Sequence, residues 1–132
     1  MKYPVLLQRT AGSNDYKITV PDLLGCQEKA ETIDNGLTKI NLTIASHLSI
    51  LAEYGEQIPH GSSIESHKDR YPDAIWAIVD IDITPYLGKS HKINVTMPEL
   101  LIKQMDDRVS KTPAYKTRSG FIAAACLHEL AK

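Results

Sequence analysis

Six consecutive residues near the end of the chain carry the most informative side-chain chemistry. Lys92, Asn94 and Thr96 alternate with Ile93, Val95 and Met97. In an extended segment this period of two puts three hydrogen-bonding side chains on one face and three apolar ones on the other. An ammonium, a carboxamide and a hydroxyl are groups for recognising a polar surface, and none of them is a nucleophile backed by a base. A second set follows at Thr117, Arg118 and Ser119. There a capping threonine, a guanidinium and free helix N–H groups would together hold an anion. Bond-breaking chemistry has thinner support. Two-metal phosphodiester cleavage needs several carboxylates converging on ions about 3.5–4 Å apart. Asp80 and Asp82 are expected on one strand face, but the first strand offers only Val5, Leu6, Leu7 and Gln8 in its middle. No metal, no cofactor and no enzymatic activity is expected. Asp34 falls at a helix start, where it complements the dipole. His47 is placed at the edge of a helical stripe, and His60, His67 and His128 at the surface.

These groups need elements to position them. Pro98 fits the first turn of a helix, where its missing N–H costs nothing. Leu101, Met105 and Val109 then recur every four residues and form one apolar stripe. The stretch Ser110 to Lys116, with Pro113 inside it, breaks that helix. Thr117 caps a second one, whose stripe is Phe121, Ile122, Ala125, Cys126 and Leu130. The tail therefore reads as strand, helix, turn, helix.

Upstream, Tyr3 to Arg9 and Asp15 to Val20 read as strands joined by the turn formers Thr10-Ala-Gly-Ser-Asn-Asp, an antiparallel hairpin. Gly25 marks a tight turn or a bulge, and Cys26 to Ala30 is a third short strand. Thr32 caps a long helix with Ile33, Leu37, Ile40, Ile44, Leu48 and Leu51 on one side. Gly36 weakens it by about 1 kcal/mol relative to alanine, and Gly55 ends it. Ile58 to Asp73 is a loop with one helical turn. A strand from Ala74 to Ile83 follows, with Ile75, Val79, Ile81 and Ile83 on one face and Trp76, Ile78, Asp80 and Asp82 on the other. The expected organisation is a front domain at 1–84, a linker at 85–90 and a tail domain at 91–132.

Composition agrees with a folded chain. Apolar residues make up 42% of the 132, enough for a core. No run is long enough to span a membrane, and the start is too short for a signal peptide. The sequons at Asn41 and Asn94 are read as chance matches. Cys26 and Cys126 lack metal spacing and are expected as reduced, structural thiols in a cytoplasmic protein. The net charge of −1 is uneven along the chain. Residues 1–84 carry 7 basic and 12 acidic side chains, a balance of −5, whereas residues 85–132 carry 8 and 4, a balance of +4. A positive tail suits a polyanion.

Lys92-Ile-Asn-Val-Thr-Met-Pro-Glu-Leu-Leu followed by Thr117-Arg-Ser-Gly-Phe-Ile resembles the ribbon-helix-helix repressors. A segment this small buries little core alone. The resemblance implies a homodimer whose paired strands form a two-stranded ribbon in the major groove of double-stranded DNA. Ile93, Val95 and Met97 would then make the dimer core, and Lys92, Asn94 and Thr96 would face the bases. Thr117, Arg118 and Ser119 would seat phosphates. A helix-turn-helix, the rival, uses a shorter turn than Ser110 to Lys116. Gly120 stands where that family often has a charged residue.

In the front domain, Tyr16-Lys-Ile-Thr-Val-Pro-Asp-Leu-Leu-Gly-Cys, Ala30-Glu-Thr-Ile-Asp-Asn-Gly-Leu and Gly55-Glu-Gln-Ile-Pro resemble the HicB-like antitoxins. That likeness implies an α+β chain: a truncated RNase H-like domain with a three-stranded antiparallel sheet, a long helix and a further strand, plus the ribbon-helix-helix tail. It also implies a small basic toxin of the HicA type as partner, blocked in its RNA cleavage, and repression of the chain's own operon. Leu24 departs from a proline frequent at its site, and Ile58 to Asp73 from a Pro/Ser-rich pattern. The competing reading is a ribbon-helix-helix regulator whose front domain senses a ligand or oligomerises. Further pairing of dimers into tetramers stays open.

Overall fold

The computed structural model describes residues 1–132, which form two compact units, Met1–Gly88 and Lys89–Lys132. In the first unit, β1 (Lys2–Arg9), β2 (Tyr16–Thr19), β3 (Gln27–Ala30) and β4 (Ile75–Asp80) make one antiparallel sheet of order β3-β2-β1-β4. The expected hairpin and third strand are present. The further strand joins the same sheet, so the sheet has four strands rather than three. Its register sets Leu7 opposite Ile18 on one side and Leu6 opposite Trp76 on the other.

α1 (Ile33–Glu53) lies across this sheet and buries Gly36, Ile40, Ile44 and Leu48. Thr32 caps it by accepting the Asn35 N–H at 3.1 Å. A Cβ on Gly36 would stand 2.8 Å from Ile18 Cδ1. The glycine thus marks a close helix–sheet approach, and the gain in helix propensity from alanine would be offset by crowding against Ile18.

The run Tyr3-Pro-Val-Leu-Leu in β1 does not alternate apolar with polar residues. Tyr3, Val5, Leu6 and Leu7 are all buried, because β1 is central and covered on both faces. α1 covers the face carrying Leu7 and Ile18. On the opposite face, residues 58–74 contribute 3-10 turns at Ile64–Ser66 and Lys68–Arg70. There His67 stacks on Trp76 at 6.0 Å and Tyr71 meets the same indole edge-on at 6.2 Å. A strand buried on both faces reads as a continuous apolar run rather than an alternating one.

Several expectations need correcting here. The last strand stops at Asp80, not Ile83. Ile81 N–H still donates to the Met1 carbonyl at 2.8 Å, but the chain then bends. Asp82 lies past the ladder and accepts from Thr84 N–H at 3.0 Å, so Asp80 and Asp82 do not share a strand face. Ile75, at the strand's start, is 44% exposed. Residues Thr84–Tyr86 form a 3-10 turn packed on α1, which makes them part of the first unit. His67 is half-buried rather than at the surface.

Tyr3 gives the first unit an alkaline sensitivity. Its side chain is fully buried and donates to the Pro59 carbonyl at 2.7 Å. Burial, reinforced by the Asp22 carboxylate, pushes the phenol up to about 12, and burial with Glu28 nearby pushes the Cys26 thiol up to about 11. A raised folded-state value means that this stability is whole below the unfolded value and is lost as pH climbs through the folded one. Urea midpoints should therefore fall between about pH 9 and pH 12, with Tyr3 contributing at most about 3 kcal/mol. A Tyr3→Phe variant should lose the part above pH 10. Identical pH profiles for parent and variant would contradict this assignment.

The second unit holds α2 (Glu99–Lys111) and α3 (Arg118–Leu130), with Thr117 capping α3 as expected. Pro98 is the N-cap of α2 rather than its first helical residue. Only Met105 is buried among the apolar residues of this unit. Leu101, Cys126 and Leu130 are exposed, and Phe121, Ile122 and Val109 are half-buried. Cys126 therefore does not act as a core thiol within the single chain, contrary to expectation.

Candidate nucleic-acid interface

The alternating stretch sits immediately before α2. Residues 89–97 enter no helix and no ladder, and none of their backbone groups hydrogen-bonds within the chain. A strand needs a second strand to bond with, and a single chain supplies none here, so the expected strand is absent as such. Ile93 is 79% exposed and Val95 62%. Met97 is half-buried, and Lys92, Asn94 and Thr96 are exposed. An apolar row and a row of unpaired backbone groups thus lie together in water, the condition of an open sheet edge.

At the start of α3, Thr117 is in extended conformation and its Oγ1 accepts the Gly120 N–H at 3.0 Å. Phe121 N–H bonds to the Thr117 carbonyl at 3.1 Å. The N–H groups of Arg118 and Ser119 make no such bonds, and the positive end of the helix dipole is available to an anion. The Arg118 side chain is engaged. Its Nε and Nη2 donate to the two Asp106 oxygens at 2.9 and 2.7 Å, and this guanidinium holds the Asp106 carboxyl below the usual carboxylate range. Sequence reasoning missed Asp106. It stands on α2, twelve residues earlier, and no period connects the two positions.

The Pro-Asp-Leu-Leu-Gly-Cys segment in the first unit is a tie between loops. Asp22 accepts from the Ser62 N–H at 2.9 Å and from the Ser62 hydroxyl at 2.7 Å. Ser62 Oγ also lies 2.6 Å from His67 Nε2. Leu23 and Cys26 are buried anchors, whereas Leu24, the departure from proline, is 94% exposed. The polar chemistry of this segment therefore ties it to Ser62, in the loop that follows α1.

Comparisons with known proteins agree over both units. The crystal structure of the Burkholderia pseudomallei antitoxin HicB is 34% identical, with 98% of each chain covered and a TM-score of 0.72. The antitoxin HicB3 crystal structure is 25% identical over 96% of this chain and 95% of that one, with a TM-score of 0.59. An uncharacterized 14.9 kDa protein in the rep-hol intergenic region of Haemophilus phage HP1 (strain HP1c1) is 31% identical over 98% of each sequence. Residues 3–126 match the family model of the HicB-like antitoxin of bacterial toxin-antitoxin systems. That stretch runs from the first strand of the sheet into the last tail helix, and the chain belongs to the HicB-like antitoxin family.

Proposed function

We propose that this antitoxin works through a division of labour between its two units. The first, read as a truncated RNase H-like fold, binds and neutralises a small basic toxin of the HicA type that cleaves RNA. The second, read as a ribbon-helix-helix unit, represses the chain's own operon by binding DNA as a homodimer. The observation that carries the second half is the exposed 91–97 stretch. Its apolar face and unpaired backbone are both satisfied by antiparallel pairing with the same stretch of a second copy. That ribbon leaves Lys92, Asn94 and Thr96 outward, with groups able to address guanine, adenine and thymine edges. Two further features support the reading. The basic excess lies in the DNA-facing part, and the acidic excess of residues 1–84 complements a basic partner.

Asn94→Ala tests the base-reading role. It should remove about 1–3 kcal/mol of discrimination at each contact while leaving helix content and dimer mass unchanged. A gel-shift series on operator and scrambled DNA reads the outcome, and unchanged operator preference sinks the assignment. Neutralisation is tested separately. Co-expression with a small basic protein encoded beside this chain should restore growth that the partner alone arrests, and failure to rescue counts against the antitoxin half.

A further inference from the structure

Asp106 and Arg118 face each other between α2 and α3 through both carboxylate oxygens, at 2.9 and 2.7 Å. A guanidinium takes two oxygens of a phosphate in the same fork geometry. Both side chains are about half exposed, at 46% and 56%, so water and ions reach the pair. The other carboxylates of this unit are occupied differently. Glu99, Asp107 and Glu129 pair with Lys103, Lys111 and Lys132 within a turn of themselves. Asp106 alone bridges the two helices, and it alone holds the arginine read above as a backbone contact.

We propose that Asp106 is an internal substitute for DNA phosphate, occupying Arg118 in the free protein so that the DNA backbone must displace it. The proposal rests on the reading of Arg118 as a phosphate contact. Binding then exchanges one charge-assisted pair for another, and the freed carboxylate is left beside the DNA as a like charge. Arg118 contributes less than an unencumbered arginine would. Because the contact is to the backbone, the handicap falls equally on every sequence and leaves operator preference alone. Asp106 is a positioning residue that sets how tightly the tail grips DNA, without reading it.

The test uses the full chain and measures affinity for operator and scrambled DNA. Asp106→Asn keeps the side-chain shape and removes the charge. It should tighten binding roughly threefold per protomer, or about tenfold for a dimer, on both DNAs alike. Asp107→Asn is the control, since it removes the same charge one residue away and frees Lys111 instead; it should gain about twofold or less. In an Arg118→Ala background, the Asp106→Asn gain should shrink to the Asp107→Asn level. Circular dichroism melts verify folding, and Asp106→Ser serves as a second variant if the first melts early. No gain from either variant overturns the proposal, because Asp106 then presents Arg118 rather than withholding it. An equal gain at position 107, or in the Arg118→Ala background, also overturns it by pointing to bulk charge. Those failures leave the DNA-binding reading intact. A parent protein that binds no DNA at any salt concentration defeats both.

Discussion

Replacing Gly61 with alanine is expected to destabilise the first unit by about 3–5 kcal/mol, near the upper end for a single substitution. A Cβ at this position would overlap the Lys2 carbonyl oxygen, which is backbone and belongs to β1, a strand fixed by its pairing with β4. A flexible side-chain tip could swing aside, but this atom cannot. The loop would have to lift, and the contacts on either side of it would go as well. Tyr3 would lose Pro59, and half-buried Asp22 would lose Ser62, leaving the hydroxyl of a buried tyrosine without its partner. Trp76, the single tryptophan, lies under this segment and reports its release. Urea unfolding followed by indole fluorescence should show the midpoint falling sharply. A loss under about 1 kcal/mol would mean that the loop accommodates a methyl group and is not seated as described.

The second large effect is expected at Val95. In the proposed dimer this residue belongs to the buried side of the ribbon, and a Val95→Asp substitution would place two carboxylates in that interior. Burying unpaired charges costs far more than a thin interface can return. The variant should sediment as a monomer at micromolar concentration and bind operator DNA at least ~10³-fold more weakly, the scale separating specific from non-specific binding. Its α2 and α3 should melt earlier as well, since only Met105 is buried without a partner chain. Retention of the dimer and of operator binding would falsify the assignment of Ile93, Val95 and Met97 to the core.

How much of this was legible beforehand depended on whether a period marked it. The long helix was plain in Ile40, Ile44 and Leu48, and the hairpin in the turn formers between Arg9 and Tyr16, because both leave local repeats. The pairing of β1 with β4 joins Lys2 to Asp80, and no local pattern announces a partner so far along the chain. The run Val5-Leu6-Leu7 did carry a signal of double-sided burial, but it read only as imperfect alternation. Gly36 was counted as a helix weakness because its benefit lies in Ile18, on another element. Polar ties were the least visible. Asp22 with Ser62, and Asp106 with Arg118, join residues from separate segments, and one donor with one acceptor leaves no trace in composition. Lys92 to Met97 is the reverse case. Its alternation is clear in the sequence, while the ladder it calls for needs hydrogen bonds that one chain does not contain.

The central position of β1 also bears on how the chain folds as it is made. During synthesis Lys2 to Arg9 can pair with Tyr16 to Thr19 as soon as both have been made. Their other edge waits for Ile75 to Asp80, and the Met1 amino group waits for the Ile81 carbonyl at 3.0 Å. Closing so long a loop is slow relative to local helix and hairpin formation. The emerging chain therefore carries an apolar strand with one bare edge until Ile75 to Asp80 has followed. The sheet can close only after β4 has been translated, so β1 is made well before it is fully enclosed.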